Sequence, residues 1–260
     1  APSNVGLVVR KGKVVYHRTA YSSMLHDRMI TDSTVFPIWS MSKPITSVAA
    51  MILYERGKFK LDDSVADILP EMAAVKVKTK DGKLVPLAKP ITYRDLFRHT
   101  SGFNGYEGLY NEDGFWAKTT RAKSLTAIIR ELAKQPILHQ PSAKYTYGMN
   151  TAVLGRAVEV LSGKSLNKFL RKEIFRPLKM ENTRFHLTKR TRKLLQPLSI
   201  FEAGNYRAGK PEEDELPYEK DSLLYLGGEG LVSTLADYSR FCQMLLNCGC
   251  ANYFIIKYYS

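Results

Sequence analysis

Ser40 and Lys43, in the run Ser40-Met41-Ser42-Lys43, set a hydroxyl and an amine three residues apart. On a helix that spacing puts both side chains on one face, one turn apart. An amine with a free lone pair in that position takes the hydroxyl's proton and makes a nucleophile without any histidine. A pattern this short also arises by chance, and a second copy exists, Ser165-Leu166-Asn167-Lys168. The flanks separate the two. The second opens an amphipathic stretch through Leu166, Phe169, Leu170, Ile174 and Phe175 that is rich in lysine and arginine, so Ser165 reads as an N-cap and Lys168 as a solvated charge. The first follows Thr34 to Trp39 and leads into Ile45, Val48, Ala49, Met51, Ile52 and Leu53. That is a helix buried on nearly every side, with Pro44 tolerated in its first turn and Gly57 ending it. A serine at such an N-terminus lies beside free backbone N–H groups and the positive end of the helix dipole, which suits a developing oxyanion. On local pattern alone, Ser40 reads equally well as an ordinary N-cap.

The surrounding elements follow from periodicity and punctuation. Residues 4–19 alternate about Lys11-Gly12-Lys13 as a hairpin, and Lys76 to Pro90 forms a small surface hairpin at Asp81-Gly82. Thr92 with Asp95 is a capping box for a short helix ending near His99. Leu125 to Lys134 is an amphipathic helix stopped before Pro136. Asn150 to Leu161 is a helix with Gly163 as its stop, and Leu166 to Phe175 a helix ending at Pro177. Thr234 and Asp237 cap a last helix to Asn247. Phe103 to Lys123, with three glycines among aromatics, reads as an irregular loop lining a cleft. Thr188 to Tyr218 is polar and turn-rich without clear periodicity.

At 260 residues, 44 % hydrophobic and 25 % charged, the chain has the composition of an ordinary globular protein with a sizeable core. No apolar run reaches the length of a membrane span. The net charge is +14, and the stretch from Lys164 to Lys210 carries many lysines and arginines against Glu173, Glu181 and Glu202 alone. Without a nucleic-acid motif or interleaved aromatics, this reads as a solvated basic face rather than a nucleic-acid site. An acidic run from Glu212 to Asp221 offsets part of it. Three cysteines, Cys242, Cys248 and Cys250, complete no metal pattern, so no metal or cofactor is expected, and Cys242 reads as buried packing on the last helix. A histidine-based triad has no Gly-x-Ser-x-Gly elbow to support it.

From Val5 to about Asn247 the chain resembles the superfamily of class C β-lactamases and family VIII carboxylesterases, the penicillin-binding-protein-like serine hydrolases. The resemblance rests on Trp39 to Thr46, Leu61 to Val65, Ile91 to Gly102, Tyr147 through Leu154-Gly155, and Gly227 to Thr234. It implies a two-lobed α/β (α+β) fold, an antiparallel sheet flanked by helices with a mostly helical lobe inserted. Residues 1–60 with 220–260 then form the α/β lobe and 61–219 the helical lobe, with the cleft between them. It also implies the catalytic set Ser40, Lys43 and Tyr147. The frame of a tyrosine seven residues before Leu-Gly fits Tyr147 better than Tyr145. Without the resemblance, Tyr147 reads as a core aromatic with a bonded hydroxyl.

Two departures matter. The lactamase branch has an asparagine two residues after the tyrosine, where this chain has Met149, with Asn150 one place late. This favours the esterase branch. The family's third motif on a later sheet strand has no match, so C-terminal strands of the sheet are expected to be missing, with Tyr253 to Tyr259 as a candidate substitute strand. His99, beside Thr100-Ser101-Gly102, resembles a helix-end turn of the family and is expected to be structural. The resulting expectation is a cofactor-free hydrolase of short-chain carboxylic esters, in which Ser40 attacks, Lys43 and Tyr147 share the proton transfers, and water deacylates. The alternatives are a β-lactamase or D-Ala-D-Ala peptidase, and an inactive or weakly active homologue that acts by binding. The expected partner is a small-molecule ester, with no nucleic acid and no membrane span, in a monomer or homodimer. The compartment is left open, with a bacterial cytoplasmic one favoured over periplasmic or secreted.

Overall fold

A helix that is apolar on most of its circumference can only sit inside, and α1 (Ser42–Glu55) does. Ile45, Thr46, Val48, Ala49, Ala50, Ile52 and Leu53 are all buried along it, and Gly57, at φ +66°, closes it. The computed structural model describes residues 3–21, 29–104, 122–210, 213–214, 216, 218–219 and 222–249. The cleft-loop expectation for Phe103 to Lys123 falls mostly outside these residues, and the substitute-strand expectation for Tyr253 to Tyr259 wholly so.

Against α1 packs the helix Asn150–Ser162, itself buried from Asn150 to Gly155 and ended by Gly163 in the left-handed region at φ +64°. Helices Leu125–Lys134 and Leu166–Leu170 pack on this pair. α2 (Tyr93–Arg98) carries the expected capping box: Thr92 accepts from the Asp95 amide while Asp95 accepts from the Thr92 amide.

The strands form small antiparallel ladders. β1 (Asn4–Arg10) pairs with β2 (Lys13–Ala20), with a register shift between Val8 and Val9. β3 (Phe36–Pro37) pairs with β8 (Val232–Ser233), and the Ile38 amide extends that ladder to the Leu231 carbonyl at 3.0 Å. This short ladder ties the chain just before Ser40 to the chain just after Glu229. The hairpin about Asp81-Gly82 is β4 (Val77–Lys78) on β5 (Leu84–Val85).

Three expectations change. Within Thr188 to Tyr218 a capped turn of helix at Lys189–Arg192 is followed by β6 (Ser199–Glu202) and β7 (Asn205–Ala208). Their connection, Ala203-Gly204, has positive φ at both residues, the backbone of a tight hairpin turn. The helix from Leu166 is α-helical only to Leu170, and Arg171–Phe175 widens into a π turn. Cys242 is exposed, not buried: the last helix, Leu235–Leu246, turns Asp237, Phe241 and Met244 inward, and position 242 lies about 100° round from Phe241.

Candidate active site

Ser40 lies in a 3-10 turn, Trp39–Met41, that runs straight into α1. Trp39 has φ +36°, an unusual conformation for a bulky residue and one that needs surrounding structure to hold it. The turn presents Ser40 at the surface while Ser42 and Lys43 point into the core. Ser40 thus belongs to the first turn, where backbone N–H groups have no acceptor within the helix.

Lys43 Nζ donates to Ser40 Oγ at 3.0 Å, to the Gly228 carbonyl at 3.0 Å and to Glu229 Oε1 at 2.6 Å. The Lys43 and Glu229 side chains are only 11 % and 5 % exposed, so their pairing is a buried one. The close approach of the Gly227–Gly228 backbone depends on glycine, since a Cβ at Gly227 would lie 2.8 Å from Thr46 Cγ2. Thr46 Oγ1 also holds the Gly227 carbonyl at 2.7 Å.

Tyr147 Oη lies 2.7 Å from Ser40 Oγ, and its ring faces Lys43 Nζ at 4.8 Å from the centroid. Lys43 Nζ and Tyr147 Oη thus both donate to Ser40 Oγ, and Tyr147 supplies the nearest oxygen. Tyr145 instead points outward, 63 % exposed, with its ring tilted against His99.

His99 sets the Tyr147 ring. It caps α2 with left-handed backbone, and its imidazole stacks on the tyrosine with centroids 4.9 Å apart and planes 18° from parallel. The Gly148 amide can only donate, so His99 Nδ1, 3.4 Å away, accepts from it. Nδ1 also accepts from Asn150 Nδ2 at 3.1 Å. A nitrogen that accepts twice carries no proton, and burial, helped by the charge of Lys43, pulls the His99 pKa down to about 4. The Thr146 amide donates to the His99 carbonyl at 2.8 Å. A Cβ at Gly148 would collide with the Phe103 and Asn104 carbonyls, so only glycine lets the chain turn here behind Tyr147.

Asn150 is fully buried, and its other amide end accepts from Ser101 Oγ at 2.5 Å. Both ends are engaged behind the tyrosine rather than turned toward Ser40. Ser165, in contrast, accepts from the Lys168 amide as an N-cap, and Lys168 is exposed. Among the described residues, no group of three His, Cys, Asp or Glu is placed to hold a metal ion, and no helix is long and apolar enough to cross a membrane.

Residues 2–251 match the family model described as Beta-lactamase. The chain belongs to the β-lactamase family. Lovastatin esterase of Penicillium rubens is 30 % identical over 181 residues, which are 67 % of this chain and 45 % of that protein. The putative penicillin-binding protein PbpX of Bacillus subtilis is 26 % identical over 248 residues, 94 % of this chain and 55 % of that protein. Among solved structures, EstCE1, described as a hydrolase with promiscuous acyltransferase activity, superposes with a TM-score of 0.80 at 24 % identity, covering 97 % of this chain and 69 % of its own. At that identity the likeness speaks for the β-lactamase fold. The chain spans about half the length of the curated relatives it matches.

The structure brings Ser40, Lys43 and Tyr147 within hydrogen-bonding distance and adds Glu229, which the sequence did not single out, as the partner of Lys43. The stretch Gly227 to Thr234 marked the family without giving any side chain a role. The available signal was an acid set between Gly228 and Gly230, inside a segment otherwise apolar enough to be buried.

Proposed function

We propose that this protein is a serine hydrolase that cleaves short-chain carboxylic esters through an acyl-serine intermediate. The observation that carries the reading is the convergence on Ser40 Oγ of Lys43 Nζ at 3.0 Å and Tyr147 Oη at 2.7 Å. In this mechanism Tyr147 first gives up its own proton to solvent, and its phenolate, held beside the Lys43 cation, takes the hydroxyl proton as Ser40 Oγ attacks the ester carbonyl. The Ser40 backbone N–H steadies the oxyanion. Tyr147 returns the proton to the departing alcohol as the C–O bond breaks. Water, activated by the same tyrosine, then releases the acid. His99 and Glu229 act through Tyr147 and Lys43. The substrate lies in a cleft between the part formed by residues 1–60 and 220–260 and the part formed by residues 61–219.

The likeness to lovastatin esterase supports an ester over an amide substrate. The likeness to PbpX supports a second reading, a penicillin-recognising β-lactamase or D-Ala-D-Ala peptidase. The inward engagement of Asn150 weighs against it, because that amide is not free to hold the side chain of a β-lactam. Hydrolysis of p-nitrophenyl acetate and butyrate by the 260-residue chain, beside Ser40→Ala and beside a cephalosporin, separates the readings. The esterase reading expects ester turnover that drops to background in Ser40→Ala and exceeds cephalosporin turnover. Faster cephalosporin turnover moves the assignment to the second reading, and equal background rates in both proteins leave a binding protein.

A further inference from the structure

The basic stretch between Lys164 and Lys210 takes no part in the chemistry at Ser40, yet its side chains are not simply spread over the surface. Four of them, Arg171, Arg176, Lys179 and Arg184, line an open cavity of about 460 Å³, together with the acidic Glu181 and the buried Phe175 and Met180.

The π turn helps to bring these charges together. In a regular α-helix, residues five apart point about 140° away from each other. Here the Arg176 amide donates to the Arg171 carbonyl at 3.0 Å, a five-residue bond that carries the two arginines toward one side. Such turns are rare and recur at functional sites.

Four of the lining side chains are cations against one acid, Glu181. Arg171, Arg176, Lys179 and Arg184 form no ion pair with any described residue. Arg184 gives one N–H to the Glu181 carbonyl, but its Nε is buried and has no hydrogen-bond partner among the described residues. Burial, and then the charge of Arg171, hold the Arg184 guanidinium below its ordinary pKa, with Asp237 opposing. Converging guanidinium groups repel one another, and each offers a planar fork of donors that matches a pair of oxyanion oxygens.

We propose that this cavity binds the phosphate group of a small phosphorylated molecule, with Arg171, Arg176 and Arg184 on the phosphate oxygens. The volume suits a small metabolite. The site is independent of the reading of Ser40, and its failure would leave the esterase assignment untouched.

The test is isothermal titration of the 260-residue chain with inorganic phosphate and with glycerol 3-phosphate, at constant ionic strength set by chloride. Saturable one-to-one binding is expected, weakened about ten-fold or more in Arg171→Gln and again in Arg176→Gln. Both positions are exposed, so the variants keep the fold, which circular dichroism checks. Ester hydrolysis should be unchanged in both. Absence of saturable binding, or equal affinity in the variants, overturns the proposal. Binding to phosphatidylglycerol vesicles without binding of either soluble phosphate also overturns it, because the basic residues would then form a lipid-facing surface.

Discussion

Lys43 links two chemistries, touching Ser40 at the surface and Glu229 inside. A buried charge whose partner is removed is costly, typically about 3–5 kcal/mol, because nothing replaces the lost counter-charge. Glu229→Gln keeps the size and a hydrogen bond but loses the charge. It is expected to destabilise the protein by about 3 kcal/mol in urea unfolding at neutral pH. A loss under about 1 kcal/mol would show that Glu229 is not the counter-charge of Lys43. Tyr147 is different in kind. It is 42 % exposed, so Tyr147→Phe should leave the unfolding midpoint in place while lowering kcat for p-nitrophenyl butyrate by about 10²–10⁴-fold. Unchanged kcat would remove Tyr147 from the proton path. None of this was legible for Glu229, because the lysine and the acid are joined only through the folding of two distant segments. Ser40 and Lys43, in contrast, sit one helical turn apart and could be read directly.

At the scale of elements, α2 is the support for Tyr147, since it ends at the imidazole on which that ring stacks. Asp95 anchors the helix, accepting from the hydroxyls of Thr92, Thr100 and Ser142 at 2.8, 2.7 and 2.6 Å. Burial pushes its carboxyl up, but these bonds and the Thr92 amide outweigh it, and the group is held below the usual carboxylate value. Asp95→Ala removes a cap and several charge-assisted bonds and should cost about 2–4 kcal/mol, read as a lower urea midpoint.

The same elements give a pH dependence with a definite sign. His99 titrates near 4 in the fold against an ordinary 6.5, so the unfolded chain binds more protons between those values. Its contribution is complete above about 6.5 and is lost as the pH falls toward 4. Asp95 contributes above the ordinary carboxylate pKa and loses that contribution as the pH falls through its lowered value. Urea midpoints should therefore be level from pH 7 to 8 and fall steadily below pH 6.5, and the His99→Gln variant should lose the upper part of that fall. A midpoint that rises on acidification would contradict this arrangement.

The elements with local chemistry were the ones the sequence disclosed: both capping residues of α2, the glycine stops at Gly57 and Gly163, and the N-cap at Ser165. The hairpin at Ala203-Gly204 was hidden because its first turn residue is alanine, not the asparagine or aspartate that usually marks such a turn. The π turn leaves no periodic trace over five residues.

Across the whole molecule, order is expected to be graded. α1 and Asn150–Ser162 pack against each other in the core. β1 and β2, in contrast, form a ladder of two strands among the described residues, with Val8, Val14, Val15 and Tyr16 about half exposed or more. Two strands alone are marginally stable in water. Amide hydrogen exchange should be slowest in α1 and Asn150–Ser162 and fast throughout β1 and β2. Equal protection in the hairpin and α1 would show that the hairpin is held by more than its own ladder. The overall architecture was legible because matched stretches recur in order along the chain, and the same order placed Tyr147 opposite Ser40 across more than a hundred residues of sequence.

The most direct test of the account is to trap the intermediate. The protein is mixed with p-nitrophenyl butyrate, quenched in acid and weighed intact by mass spectrometry, then digested to locate any adduct. The account predicts a single butyryl group on the peptide carrying Ser40, absent from Ser40→Ala. An adduct on another residue, or one that persists in Ser40→Ala, would contradict it.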